Sequence, residues 1–522
     1  MRLSAFPGTV KIDNFEVKHH YAVKPGSPLY RNTTLLISFL WLVANCAQAQ
    51  NKLQKLKEVS KVKRNVIFIL TDDHRYDFMG FTGKLPWLKT PYLDELAQKG
   101  VYLKNSFVTT SLCSPSRASI LTGQYSHVHT IVDNVTPEPE GLTYFPQYLQ
   151  RAGYQTAFLG KWHMGQGDQP RKGFNHWESF PGQGVYYNPV LNINGKRITY
   201  KDSTYITDLL TQHSLTWLKN RDKSKPFFLY LSHKAVHSPV TPAKRHKGMY
   251  KNQYYPLPET YYQTLGNDYK KLGWPEWTKQ QRYSWHGVDY MYHNHQNLES
   301  LVQSYCETLM AVDESVKSLM DYLKTEGLDK STLVVYMGDN GFSWGEHGLI
   351  DKRHFYEESV KVPTIAYCPE LFKGGTIEDR MVQNIDVAPT ILQCAGLEKP
   401  GHMTGQSFIP LLQGKTTQWR DKIFYEYFWE YDFPMTPTVF GVRTDKYKYI
   451  RYWGIWDTNE LYDLENDPNE VTNLIANPKY TTIAKNMAED LLKWLEETKG
   501  MQIPLRPITK RPLGDYLHPY NR

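Results

Sequence analysis

The sequence predicts an α/β fold: a mostly parallel central sheet flanked by helices, with a smaller α+β domain at the C-terminus. Three observations predict it. Short, continuously apolar runs at residues 65–71, 226–232 and 332–337 have the character of strands buried on both faces. Stretches with apolar spacing of three and four, such as residues 206–219, alternate with them and read as covering helices. After about residue 414 the pattern changes to strand-like runs followed by one closing helix.

Composition bounds the function. At 522 residues and 40% hydrophobic, the chain can bury a large core, as one big domain and a smaller one. A net charge of +8 fits an anionic substrate. The basic residues are spread along the chain, with no zinc-finger spacing, helix-turn-helix signal or basic repeat, which argues against nucleic acid. The aromatic content of 14% serves a core and can also stack on sugar rings.

Taken in order, the chain opens with an export signal. Residues 35–44 are apolar, follow Arg31 and precede Ala47-Gln48-Ala49, a secretory signal peptide with an Ala-x-Ala cleavage site. The run is too short to span a membrane. A start codon assigned upstream of the true one, near residue 30, explains the polar segment 1–30. A lipoprotein anchor on Cys46 competes with this reading, although Asn45 is not the small residue expected there. The expected destination is the periplasm or the exterior. The domain reading is 1–49 signal region, 50–414 catalytic domain and 415–522 C-terminal domain. Of five cysteines, Cys46 leaves with the signal, and Cys306, Cys368 and Cys394 allow at most one disulfide if Cys113 is kept for chemistry.

The first buried strand, 65–71, ends in Asp72-Asp73-His74-Arg75. Adjacent acids are common on surfaces, but at the end of a buried strand they repel each other and need a hard cation. Residues 90–99 read as a helix and 101–108 as a strand. Ser111-Leu112-Cys113-Ser114-Pro115-Ser116-Arg117 then leads into a helix start, with Ser114 or Ser116 as cap and Pro115 at the first position. Cys113 at a helix N-terminus beside Arg117 favours an anion and an activated side chain; the plain alternative is a buried cysteine in a capped helix. His127 and His129 line the substrate mouth or pack on the helix end. Residues 144–152 read as a helix and 154–160 as a strand ending in Lys161-Trp162-His163.

The strand 226–232 ends at His233 and reaches His237; no glutamate follows the first histidine, so the zinc-protease pattern fails. Residues 242–295 lose periodicity and are rich in Tyr, Trp, His and Asn, an active-site wall or a surface insertion. A helix at 297–325 precedes the strand 332–337, which ends in Gly338-Asp339-Asn340-Gly341; Asp351-Lys352-Arg353 follows. Residues 363–367 read as a strand and 382–395 as a helix. The C-terminal part reads as strands at 423–429, 440–443 and 446–453 and a helix at 480–499.

Four buried strands thus end in chemistry-bearing residues: Asp72 and Asp73, Lys161 and His163, His233 and His237, Asp339 and Asn340. In an open parallel sheet these ends face one crevice. Oxygen ligands favour calcium or magnesium over zinc. A cation there polarises an oxygen of a tetrahedral anion; Lys161, Lys352 and Arg117 neutralise the others, and His163 and His237 move protons.

Cys113-Ser114-Pro115-Ser116-Arg117, followed by Leu121-Thr122-Gly123, resembles the signature of the type I sulfatases of the alkaline-phosphatase-like superfamily. The resemblance covers nearly the whole mature chain. It implies that a formylglycine-generating or anaerobic sulfatase-maturing enzyme converts Cys113 to formylglycine, whose hydrate attacks sulfur. It implies Ca2+ held by Asp72, Asp73, Asp339, Asn340 and the modified Cys113. By the same resemblance Arg117 holds the hydrate, Lys161 and Lys352 grip sulfate, His237 assists the leaving oxygen, and His163 restores the aldehyde. The run from Ser116 to His129, with Asp133-Asn134, is similar to the glucosamine-6-sulfatase branch, and His127, His129 and His233 are candidate substrate contacts. A sulfated polysaccharide is the expected substrate, a glycosaminoglycan or an algal polymer such as ulvan or carrageenan. A phosphoryl hydrolase of the same superfamily and a sulfated-glycan-binding protein without turnover are the alternatives.

Overall fold

The computed structural model describes residues 53, 55–165, 167–291, 297–415 and 418–502. The signal region and Cys46 lie outside the described residues. Ten strands form the central sheet: β1 (Val66–Thr71), β2 (Val101–Leu103), β3 (Gln155–Gly160), β4 (His176–Ser179), β5 (Val190–Ile193), β6 (Lys196–Thr199), β7 (Phe227–Ser232), β8 (Leu333–Gly338), β9 (Thr364–Tyr367) and β10 (Thr376–Glu378). Their order is β10-β2-β9-β8-β1-β7-β3-β4-β5-β6. The centre, β8-β1-β7-β3-β4, is parallel. β9 joins β8 antiparallel, and β5 and β6 extend the other side as an antiparallel meander.

Alternation along the central strands fills two cores. Ile67, Ile69, Leu229 and Val334 pack on one face with helices α1 (Pro91–Lys99), α3 (Ile206–Asn220) and α4 (Leu298–Thr325), through Leu93, Leu210, Leu309 and Val312. Phe68, Phe158, Phe228 and Tyr230 form an aromatic layer on the other. Each such side chain contributes about 1.5–3 kcal/mol when fully buried. α1 has no side-chain cap of its own; Asp313 of α4 accepts from Leu93 N at 2.7 Å and Tyr92 N at 3.1 Å instead. α4 itself is capped by Asn297, whose side chain accepts from Ser300 N at 3.1 Å.

A second, antiparallel sheet runs β11 (Lys422–Tyr427), β12 (Thr438–Thr444), β13 (Tyr447–Trp453) and β14 (Glu460–Asp463). Its Phe440, Val442 and Leu461 pack on Leu491 and Trp494 of the closing helix α6 (Thr481–Thr498).

Two readings are corrected. Residues 101–108 are not one strand: Val101–Leu103 joins the central sheet, while Ser106–Phe107 pairs with Val382–Gln383. Residues 382–395 are not one helix: after Gln383 comes a 3-10 turn, Asn384–Asp386, and only then α5 (Val387–Cys394). Asp386 fixes that turn, accepting from Gln383 N at 2.8 Å and pairing with Arg420 at 2.6 Å. The cysteines among the described residues are free, so no disulfide forms between Cys306, Cys368 and Cys394. No described helix is long and apolar enough to cross a membrane.

Candidate active site

Strand register builds the site. Thr71 pairs with Gly338 and Leu70 with Ser232, which in turn pairs with Gly160. The next residues of four strands, Asp72, Asp339, His233 and Lys161, therefore emerge along one edge of the sheet. Gly160 is required at that edge. It has φ of 121°, and a Cβ there would lie 1.8 Å from the carbonyl oxygen of Ser232. The same carbonyl accepts from Lys161 N at 2.8 Å, which aims Lys161 inward.

α2 (Cys113–Thr122) delivers the cysteine. Every residue of it is buried, and Gly123, at φ of 66°, ends it with a bond to Ser119 O. The expected serine caps are corrected: Leu112 is the N-cap and makes no side-chain cap bond. Ser114 and Ser116 instead donate to the carbonyls of His163 and Asp339, tying the helix mouth to two strand ends. Tertiary acceptors displace the local cap. Cys113 Sγ lies 3.4 Å from Asp72 Oδ1, 3.5 Å from Lys352 Nζ and 3.7 Å from Lys161 Nζ. Arg117 donates to Asp339 Oδ2 at 2.9 Å, Lys161 O at 2.6 Å and Ser232 Oγ at 2.7 Å.

Charges alternate. Lys161 pairs with Asp72, Lys352 with Asp73 and Arg117 with Asp339, all buried. Burial alone raises the Asp72 carboxyl, yet Lys161, His237 and Arg117 together hold it well below the usual carboxylate range. Burial pushes Asp73 up despite Lys352, and Asp339 up to about 7. Burial also lowers His163 and His237 from the usual imidazole value. His237 Nδ1 bonds Ser238 O at 2.5 Å, leaving Nε2 facing Asp73 Oδ2 at 3.7 Å. The expected activated thiol is corrected: burial and the Asp72 carboxylate push the Cys113 thiol up rather than down.

A hard cation fits these residues. Oxygen atoms of Asp72, Asp73 and Asp339 lie within 4.8 Å of one another. Asn340 Oδ1 is buried beside them without a hydrogen-bond partner, while its Nδ2 donates to Asp73 Oδ1 at 2.7 Å. Carboxylates with an orphaned amide oxygen are donors suited to calcium or magnesium.

The structure does not bring the other three histidines to this cluster. His127 Nδ1 bonds Glu426 Oε2 at 2.7 Å, with its ring against Trp494. His129 Nε2 bonds Ser119 Oγ at 3.0 Å, and His233 Nε2 bonds Ser315 Oγ of α4 at 3.1 Å. Burial pushes His129 and His233 down to about 3, so neither carries charge for an anion. All three are engaged by the protein's own groups, and none joins the cluster around Cys113. Sequence reasoning missed Gln183, which accepts from Lys161 at 2.5 Å, and Lys234, buried beside Tyr186. Gln183 carries no sequence signal, whereas Lys234 sits between the two histidines already singled out.

Residues 64–397, well over half of the chain, match the sulfatase family model. The chain belongs to the sulfatase family. As a sulfatase it is a sulfuric ester hydrolase. Residues 345–497 of this sulfatase match the C-terminal region of N-sulphoglucosamine sulphohydrolase. An N-acetylglucosamine-6-O-sulfatase of Bacteroides thetaiotaomicron is 34% identical over 532 residues, covering 90% of each chain. The N-acetylglucosamine-6-sulfatase of Homo sapiens is 29% identical, covering 78% of this chain and 80% of its own. A solved structure in complex with its substrate D-glucosamine-2-N,6-O-disulfate superposes with a TM-score of 0.77 at 30% identity, covering 85% of this chain and 99% of that one.

Proposed function

We propose that this sulfatase is exported and removes 6-O-sulfate from N-acetylglucosamine or related glucosamine units of a glycosaminoglycan. The observation that carries the reading is Cys113 Sγ within 3.7 Å of Asp72, Lys161 and Lys352, in a chain 34% identical to an N-acetylglucosamine-6-O-sulfatase. Converted to formylglycine by a maturation enzyme, Cys113 supplies a hydrated aldehyde as nucleophile toward sulfur. Calcium held by Asp72, Asp73, Asp339, Asn340 and the modified Cys113 supplies a Lewis acid for a sulfuryl oxygen.

The chain's own side chains do the rest. Lys161 and Lys352 neutralise charge growing on the sulfuryl oxygens, and one such positioned donor contributes about 10²–10³ in kcat. Arg117, fixed on three acceptors, holds its charge at the helix mouth without reorganising. His237, oriented through Nδ1, presents Nε2 to the departing sugar oxygen. His163, whose Nδ1 is buried without a partner, takes the proton as the second hydroxyl of the hydrate expels sulfate. With Nδ1 donating to Ser238 O, His237 gives a proton to the leaving oxygen from Nε2 only as the imidazolium, whereas His163 takes a proton as the neutral ring.

The test is release of inorganic sulfate and phosphate from defined substrates after expression with a formylglycine-generating enzyme. The panel holds N-acetylglucosamine-6-sulfate, heparan, chondroitin, ulvan and carrageenan fragments, and a phosphate monoester. Sulfate release from the 6-sulfated glucosamine unit is expected. Release from ulvan or carrageenan alone, or faster release of phosphate, would overturn the proposal.

A further inference from the structure

Three cations at the catalytic edge have carboxylate partners; a fourth has none. Lys234, the second residue after β7, is 1% exposed, and its Nζ has no hydrogen-bond partner. Its ammonium lies 4.8 Å from the centroid of the Tyr186 ring. Tyr186 is itself part of the site's wall, since its hydroxyl donates to His237 O at 2.7 Å. The backbone of Lys234 takes part too: its carbonyl accepts from His237 N at 3.1 Å. The charges that act on this ammonium are those of Lys161, Asp72, Asp73 and Cys113, the catalytic cluster itself.

An ammonium withdrawn from water is costly unless a charged or hydrogen-bonding partner replaces the lost solvent. A ring face gives a cation part of that compensation but accepts no hydrogen bond. The carboxylates nearby are already engaged, Asp72 by Lys161 and Asp73 by Lys352. The missing partner is an anion that arrives from outside. We propose that Lys234 is a further substrate-contacting residue, its ammonium donating to an anionic oxygen of the sulfated sugar. The oxygen belongs either to the sulfate ester being cleaved or to a second sulfate on the same sugar, such as an N-sulfate. This rests on the sulfated-sugar reading above.

Lys234→Met keeps the apolar stem and removes the charge; Lys234→Arg keeps the charge. The calcium-loaded, formylglycine-containing proteins are titrated with inorganic sulfate by calorimetry and assayed on mono- and disulfated glucosamine. Contact with the cleaved sulfate predicts at least tenfold weaker sulfate binding in Lys234→Met and an approximately 10²-fold fall in kcat/KM on both sugars. Lys234→Arg restores part of each. Contact with a second anion predicts unchanged sulfate affinity and a loss confined to the disulfated sugar. In either case the thermal midpoint of Lys234→Met equals or exceeds the wild type, because an unpaired buried charge has been removed. A lowered midpoint with unchanged sulfate affinity and kcat/KM on both sugars would make Lys234 an anchor for Tyr186 and overturn the proposal. If the wild type releases sulfate from neither sugar, the substrate reading fails, and the sulfate titration still decides on Lys234.

Discussion

Replacing Arg353 by Met tests how the C-terminal sheet reaches the catalytic edge. Arg353 Nε donates to Glu430 Oε1 at 2.7 Å, one Nη donates to Asp351 Oδ2 at 2.9 Å, and the guanidinium stacks 4.2 Å from the Phe433 centroid. Lys352 lies between two residues with positive φ, Asp351 at 85° and Arg353 at 87°. Each such conformation costs about 1–3 kcal/mol and persists only while its surroundings hold it. The substitution leaves the buried Glu430 carboxylate with the Tyr427 hydroxyl at 2.9 Å and takes one cation from Asp351. Removing one partner of a buried pair costs about 3–5 kcal/mol. At about 2.1 cal/mol/K per residue, a folded unit on the order of 450 residues has an unfolding entropy of about 1 kcal/mol/K, so the midpoint falls by about 3–5 °C. A shift of Lys352 by about 1 Å lowers kcat/KM by about 10²-fold. Thermal unfolding and sulfate release on 6-sulfated N-acetylglucosamine measure both effects. A lowered midpoint with unchanged kcat/KM would refute the claim that Arg353 positions Lys352, and an unchanged midpoint would refute the clamp.

Two other substitutions probe the site and its support. Asp73→Asn removes one of the oxygen-ligand charges, so calorimetry should show weaker calcium binding than wild type, and equal affinity would refute Asp73 as a ligand. Glu426→Gln acts through His127. Burial lowers that ring's pKa, but the Glu426 carboxylate outweighs it and the net shift is upward. A raised histidine stabilises the fold fully below its unfolded value of about 6.5, and the gain is lost as pH rises through the folded value. The gap in midpoint between wild type and Glu426→Gln should therefore be larger at low pH than at high pH, and a gap independent of pH would contradict the pairing.

The catalytic edge was readable because parallel strands covered on both faces must be apolar along their length. The runs ending at Thr71, Ser232 and Gly338 stand out for that reason, and the polar residues after them mark one edge. β6 escaped the same logic because all four of its residues are exposed, which erases the pattern. The roles of Ser114 and Ser116 were hidden since a hydroxyl near a helix start serves a local cap or a distant carbonyl equally well. His127, His129 and His233 show that a histidine near a motif says nothing of which way it faces. Each found a partner on another element: Glu426 for His127, Ser119 of the preceding helix for His129 and Ser315 for His233. Lys234 was passed over between two histidines, and only its burial without a partner singles it out.

The most direct test of the central claim is the mass of the Cys113 peptide from protein matured with a formylglycine-generating enzyme, read beside sulfate release by the same sample and by Cys113→Ala. The account predicts a peptide carrying the aldehyde in place of the thiol, turnover that rises with the converted fraction, and none in a folded Cys113→Ala protein. Turnover by Cys113→Ala, or by protein whose Cys113 remains entirely a thiol, would contradict it.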